Sequence, residues 1–438
     1  MRQRTIALLL ALALTVSLCA VSVLADDETA ADSAGQTAAD AGGETEAAGE
    51  TPPEAPPSPA GPDLAENVAI DPDPLGQVTF ANIESRIREN NLQYLVIEQS
   101  VTTLEEFDYD KTAEDIRKAI NSMARGQSFA LMMGDEATFS QLSSAIRSMR
   151  EQFDAIRDGE LQEDNAALLR QLRNLQDQIV MAGESMYTAL VSMEVQHGSL
   201  QRQLEALDRT VEELELRYRL GQVSSLQLAE AKAGRASLVS GMDTLAMNIR
   251  NYKLQLELLI GAEQTGEIAL GPVPDVTDQQ LAQMDLEKDL ESAREASYEL
   301  LAAERTLEDA RDDYKDAGLQ YNYNEKRYEF RSAQHTWQAA QYTYNDTCQQ
   351  YELKFRTLYA QVGDCKQIWE TSKVSLASKQ ASYAASELKY QQGTISKNAL
   401  LTARDEMTAA EEAVRTAADN LFSTYNTYCW AVRHGILN

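Results

Sequence analysis

Apolar residues recur along this chain in steps of three and four, and the longest such run sets the expected architecture. Leu168, Leu172, Leu175, Ile179, Ala182, Met186, Ala189 and Met193 form one seam, the spacing of a coiled-coil helix. After Gln196 and Gly198 the phase slips and resumes at Leu200, Leu204, Leu207, Val211, Leu214 and Tyr218, a stutter that locally unwinds a supercoil. The pattern predicts a helix from about Leu161 to Leu220, roughly 90 Å long at the helical rise. A second seam follows Gly221 through Leu238, Met242, Leu245, Ile249, Tyr252, Leu256 and Leu259, closed by Gly261. Two long helices with a short turn between them predict an antiparallel hairpin.

The hairpin is written twice. Leu216-Arg217-Tyr218-Arg219-Leu220-Gly221-Gln222-Val223-Ser224 aligns with Leu388-Lys389-Tyr390-Gln391-Gln392-Gly393-Thr394-Ile395-Ser396 at a constant offset of 172 residues, Leu216 to Leu388. In both copies a basic residue and a tyrosine precede a glycine, which is followed by a polar residue, a β-branched residue and a serine. Gly221 and Gly393 can take the positive-φ conformation that ends a helix, and Ser224 and Ser396 can cap the next one. Repetition of all these features at one offset points to internal duplication. Each half also opens with a shorter amphipathic helix, carrying Ile83, Ile87, Leu92, Leu95, Val96 and Val101 in the first and Leu281, Leu286, Leu290, Tyr298, Leu301 and Leu307 in the second. Breaks near Arg125–Asp135 and around Gly318 are where each opening segment is expected to turn into its long helix.

Proline placement agrees with this outline. Of 10 prolines, eight fall between Pro52 and Pro74 and the others are Pro272 and Pro274. Interior proline removes a backbone donor and clashes with the preceding turn, so the proline-free stretches on either side of Gly271–Asp275 leave long helices unbroken. The expected fold is all-α, with long antiparallel coiled-coil hairpins in two tandem repeats, residues 76–271 and 272–438. Ahead of them, Arg2 and Arg4 precede an uncharged run from Thr5 to Ala25 that ends in Val23-Leu24-Ala25. Residues 1–25 therefore read as an export signal, cleaved before Asp26 or retained as an anchor. Residues 26–75 form a linker rich in Ala, Gly, Thr and Pro, with 13 Asp and Glu by Asp73 and no Lys or Arg. Such a segment cannot bury enough apolar surface to offset ordering entropy.

Charge narrows the function. The chain carries 39 Lys and Arg against 69 Asp and Glu, a net −30, which excludes nucleic-acid binding through a basic surface. A solvated surface accounts for the excess acid, and a pathway favouring cationic solutes is the sharper reading. The three cysteines beyond the leader, Cys348, Cys365 and Cys429, are too sparse for a disulfide scaffold. Folded about Gly393 they miss one another in height by roughly 12 Å, so free buried thiols are expected. No nucleophile, phosphate or metal motif is present, and His197, His335 and His434 are scattered; the reading is a non-enzyme with no cofactor and no metal site. His197, near the phase slip, reads as a partly buried structural residue. The aromatics Tyr321, Tyr323, Tyr328, Phe330, Trp337, Tyr342, Tyr344 and Tyr351 read as helix packing rather than as a binding surface.

With the paired motifs Arg217 to Leu226 and Leu388 to Ser396 in view, residues 78–438 resemble the TolC-type outer-membrane efflux family. The resemblance implies a homotrimer whose duplicated protomers build a hollow helical cylinder with a β-barrel above it. It also implies that the hairpin tips face a periplasmic adaptor protein of an export pump. On that basis the partner-binding residues are Arg217, Tyr218, Leu220, Gly221, Val223 and Ser224 in the first tip, and Lys389, Tyr390, Gly393, Ile395 and Ser396 in the second. The location would be the cell envelope, at the outer membrane or otherwise associated with a membrane outside the cytoplasm.

Two features depart from the family pattern. A spanning strand needs about ten residues of alternating character. Phe129-Ala130-Leu131-Met132-Met133 is too short and does not alternate, and Leu319-Gln320-Tyr321-Asn322-Tyr323-Asn324 becomes charged, so no barrel is expected. Where the family places aspartates after the second tip, this chain has Ala399 and Thr402, with Asp405 one turn on and read as a solvated helix residue. The functional expectation is a subunit of envelope efflux or secretion; the alternative is a coiled-coil scaffold outside the cytoplasm that has kept the duplicated fold without the conduit.

Overall fold

The computed structural model describes residues 73–74 and 76–437; the expected leader, and the linker up to residue 72, lie outside them. Two very long helices dominate. They are α5 (Glu160–Arg219), of 60 residues, and α10 (Tyr328–Gln391), of 64 residues. Each is followed after a short turn by a returning helix, α6 (Ser225–Leu259) and α11 (Lys397–His434). Packing runs α6 on α5, α5 on α11, and α11 on α10, so the two hairpins lie side by side as one layer of four helices. The all-α expectation holds: among the described residues the strands are β1 (Gln77–Val78) and β2 (Ala269–Leu270), two residues each and paired in parallel, and there is no barrel.

The halves open alike. In the first, α1 (Phe80–Asn90) meets α2 (Leu92–Glu105) at Asn91. In the second, the short α7 (Asp278–Ala282) is followed by α8 (Leu286–Ala296), which meets α9 (Tyr298–Tyr321) at Ser297. Asn91 sits at φ −73, ψ 117 and Ser297 at φ −71, ψ 117, the same break in the same extended conformation. In each, the side chain caps the following helix, Asn91 accepting from the Tyr94 amide at 2.8 Å and Ser297 from that of Leu300 at 3.4 Å. The returning helix of the same half ends against this break. A Cβ on Gly261 would stand 2.7 Å from the Asn90 carbonyl oxygen, and one on Gly435 would stand 2.3 Å from the Ser297 amide nitrogen. Both positions have φ near +67, so glycine is required twice over, by conformation and by contact.

The core lies at this level, where α1, α8 and the joining segment wrap the four long helices. Ile83, Ile87, Tyr187, Leu256, Ala293, Phe355 and Ala431 are fully enclosed there. Two tyrosines pin it. The Tyr187 hydroxyl donates to the Gly271 carbonyl at 2.7 Å, and the Tyr351 hydroxyl to the Ala293 carbonyl at 2.8 Å, with the Gly435 carbonyl 3.1 Å away. Burial pushes both phenols up to about 12. A phenol buried in this way remains a neutral donor, which ties the joining segment and the C-terminal turn to the long helices.

Four sequence expectations need correction. The first break does not lead into the long helix. It leads from α3 (Tyr109–Met133) through a left-handed Gly134 into α4 (Glu136–Arg157), an additional helical hairpin, and α5 starts only after Gly159. The seam on α5 is shifted by about one residue. Leu172, Gln176, Val180, Glu184, Tyr187 and Val191 are buried, whereas Leu175, Ile179 and Met186 flank them and Ala182 is exposed. The cause is that α5 is packed by α6, α11, α1 and α2 on several sides, so no two-helix stripe defines its inside. The thiols are free but half-buried rather than buried. The aromatic run is also divided. Phe330 and Tyr351 are buried and Trp337 stacks on Tyr314, while Tyr328 and Tyr342 are exposed.

Candidate functional site

The two tips share the same backbone hydrogen bonds and the same serine cap. In the first, the Gly221 amide donates to the Tyr218 carbonyl at 2.9 Å and the Gln222 amide to the Arg217 carbonyl at 2.8 Å. In the second, the Gly393 amide donates to the Tyr390 carbonyl and the Thr394 amide to the Lys389 carbonyl, both at 2.9 Å. This is the Schellman pattern, in which a left-handed residue lets two amides reach back to carbonyls that the helix end leaves open. Gly221 has φ 69 and Gly393 φ 70. Ser224 accepts from the Gln227 amide at 3.2 Å, and Gln227 reciprocates to complete a capping box; Ser396 accepts from the Ala399 amide at 3.2 Å. The glycine and serine roles read from the sequence are thus the ones observed, and they explain why the chain reverses at these two places.

The tips also share an end. Arg209 and Asp405 form an ion pair between α5 and α11. Arg209 stands twelve residues before Gly221, and Asp405 twelve after Gly393. Arg202 pairs with Glu412, nineteen residues from the respective glycines. Nearer the turns, Asn398 donates to Glu213 at 2.9 Å. At the level of the core, Trp430 Nε1 and Asn426 Nδ2 donate to one carboxylate oxygen of Glu184 at 2.7 and 2.6 Å. Heights are equal for Arg209–Asp405, Arg202–Glu412 and Glu184–Trp430 and differ by three or four residues for Glu213–Asn398 and Glu184–Asn426, so α5 and α11 run antiparallel in a register that sets the two turns side by side.

Asp405 keeps a half-exposed side chain, as a solvated helix residue would, and in addition pairs across the hairpins. It joins the two hairpins just above their tips, a role invisible in sequence because its partner lies 196 positions away. Glu184 was missed for a similar reason, since a carboxylate inside an apolar run reads as an interruption of the seam. Burial raises its pKa, and the hydrogen bonds from Asn426 and Trp430 only partly offset that.

Around the turns the surface is apolar and open. Leu216, Tyr218, Leu220 and Leu226 are exposed on the first hairpin and Leu388 and Tyr390 on the second, with Leu220 63% accessible. Val223 and Ile395 are half-buried beneath them. Of the basic residues, Arg217 pairs back onto Glu213, while Lys389 is exposed. Each hairpin is braced across its arms close to the tip, by Glu215 with Lys232 at 2.7 Å and by Lys379 with Glu406 at 2.8 Å. The arrangement offers two matched knobs on a stiff support and no reactive group.

No family model matches the chain, and no curated protein matches it. The solved structures that it resembles include outer-membrane channels. Campylobacter jejuni CmeC shares 15% identity over 66% of this chain and 68% of its own, with a TM-score of 0.41. VceC of Vibrio cholerae shares 13% over 81% of this chain and 96% of its own, at 0.45. Neisseria gonorrhoeae MtrE, in its open state, shares 15% over 81% and 89%, at 0.43. At these values the likeness carries no residue-level correspondence.

Proposed function

We propose that the chain is a TolC-like helical subunit of envelope efflux or secretion, which self-associates into a trimer and docks through its paired tips on an adaptor of an export pump. The observation that carries this reading is the register between α5 and α11. It brings two copies of one turn to the same end and leaves Leu220, Tyr218, Leu388 and Tyr390 open there. Two hairpin ends of matched geometry suit a partner that binds the same turn repeatedly around a ring.

Self-association is supported by the edges of the four-helix layer. On α6, Met247, Tyr252 and Leu258 are exposed, and on α10 so are Tyr342, Leu353, Ile368 and Val374. Apolar side chains along both edge helices suit closure of the layer against further copies. The path so enclosed would take its solute preference from the net negative charge. The role asks for no catalytic group, cofactor or metal. Light scattering on the purified chain tests the reading: a trimer is expected, and a monomer at all concentrations contradicts it. Substituting Leu220→Asp together with Leu388→Asp should abolish capture of the adaptor and leave the trimer intact; unchanged capture contradicts tip docking.

A further inference from the structure

The end of the layer opposite the tips carries a feature that the proposed function does not use. The α3–α4 hairpin starts level with the beginning of α5, where Asn165 donates to the Tyr109 hydroxyl at 2.8 Å, and runs on to its own turn at Gly134. At that turn Phe129, Leu131, Met132 and Met133 are 60 to 75% accessible. These four residues leave only Ala130 of the last helical turn packed inward.

Charge is distributed around this turn in a definite order. Gly126 to Gly134 and Ala137 to Ile146 contain no charged residue, which clears about 13 Å of each arm at the helical rise. Just below lie Arg125, Arg147 and Arg150, all exposed. Unlike Lys118 and Arg157, which pair with neighbouring acids, these three form no ion pair among the described residues. Three free guanidinium groups beneath an apolar end, in a chain of net charge −30, match a layer of phosphates overlying hydrocarbon.

We propose that the α3–α4 turn seats in the surface of a lipid bilayer, with the Phe129, Leu131, Met132 and Met133 cluster in the acyl boundary and the arginine collar on the headgroup phosphates. The seat is shallow. No helix among the described residues is long and apolar enough to cross a membrane. Asp135 and Glu136 occupy the turn itself, and Asp135 is held ionised by the Thr138 hydroxyl and amide at 2.5 and 3.1 Å. A fixed carboxylate belongs in the headgroup zone, so the hairpin must lean on its α3 side. A second copy is the less suited occupant: the stem below is lined by exposed Asp110, Lys111, Glu114, Arg117 and Lys118, with no apolar stripe along which two hairpins could pack.

The test uses the full chain with a photo-reactive residue introduced as Met132→p-benzoylphenylalanine, or as Leu92→p-benzoylphenylalanine for a similarly exposed site at the start of α2, outside the edges assigned to self-association. Each protein is irradiated with vesicles of phosphatidylcholine, with and without phosphatidylglycerol. Lipid adducts at position 132 should exceed those at 92 by ~10-fold, as expected for a side chain seated in the acyl boundary. Attachment of the chain elsewhere raises both yields alike and brings their ratio toward one. Replacing Arg125→Gln, Arg147→Gln and Arg150→Gln together should remove the gain due to phosphatidylglycerol. Equal adduct yields at the two sites, no lipid adduct, or cross-linking of position 132 to a second copy would overturn the proposal.

Discussion

The two halves of this molecule agree at one end and part company at the other. Their tips share the same helix-ending hydrogen bonds to within 0.1 Å, and their opening helices break at Asn91 and Ser297 with the same backbone angles. Beyond the opening helices the first half inserts α3 and α4, whereas the second turns directly through Asn322 and Tyr323, at φ 51 and 53, into α10. Contact explains the contrast. Each break is packed by the returning helix of its own half, and the Arg209–Asp405 and Asn398–Glu213 pairs tie the two hairpins together near the tips, so both features are fixed by packing. Among the described residues no hydrogen bond or ion pair links the Gly134 turn to the Asn322–Tyr323 turn, which leaves these turns free to diverge.

The sharpest way to break the comparison is at the glycines that end the returning helices. Gly261→Val and Gly435→Val should each cost about 3 kcal/mol or more, since a side chain at a positive-φ position would also be driven into backbone. Similar losses in chemical denaturation are expected if the halves are equivalent. Gly221→Val and Gly393→Val place the new atom in open space, so they should cost only the conformational strain of about 1–2 kcal/mol.

Next come the two core tyrosines. Tyr187→Phe and Tyr351→Phe should each lose about 1–2 kcal/mol, because the phenyl ring still packs but a buried carbonyl loses its donor. A loss in only one variant would show that the halves are not held alike.

The joint between the halves gives smaller effects. The Glu184 pKa is raised above that of the unfolded chain, so its contribution is most favourable at pH below the ordinary carboxylate range and is lost as pH rises through the raised value. Glu184→Gln should therefore flatten the dependence of Tm on pH above that range. At pH 7 it should leave stability equal or higher, by up to about 1 kcal/mol. Smallest of all, a double-mutant cycle on Arg209→Ala and Asp405→Ala should give a coupling of about 0.5 kcal/mol, reduced by salt, as befits a half-exposed pair.

What the sequence disclosed follows from the same contrast. Tip chemistry is local: a helix end, a left-handed glycine and a capping serine occupy nine consecutive positions, and reading them twice revealed the duplication. Hairpin lengths were legible because apolar residues recur at three- and four-residue steps along α5 and α6 and stop at the glycines that end them. The centre of the α5 face was not legible, since four neighbours bury it from different sides and Gln176 and Glu184 lie inside. The α3–α4 hairpin was misread because its turn, Met133-Gly134-Asp135, looks like any other helix boundary. The partner of Asp405 was not legible because it lies 196 positions away.

The account turns on the two turns lying together. Spin labels carried by unnatural residues at Gln222 and Thr394 would report this in a dipolar distance measurement. With α5 and α11 in contact and each tip one helix wide, a separation of about 20–30 Å is expected from helix spacings of 8–10 Å and label length. A separation approaching the ~90 Å length of α5 would place the turns at opposite ends and contradict it.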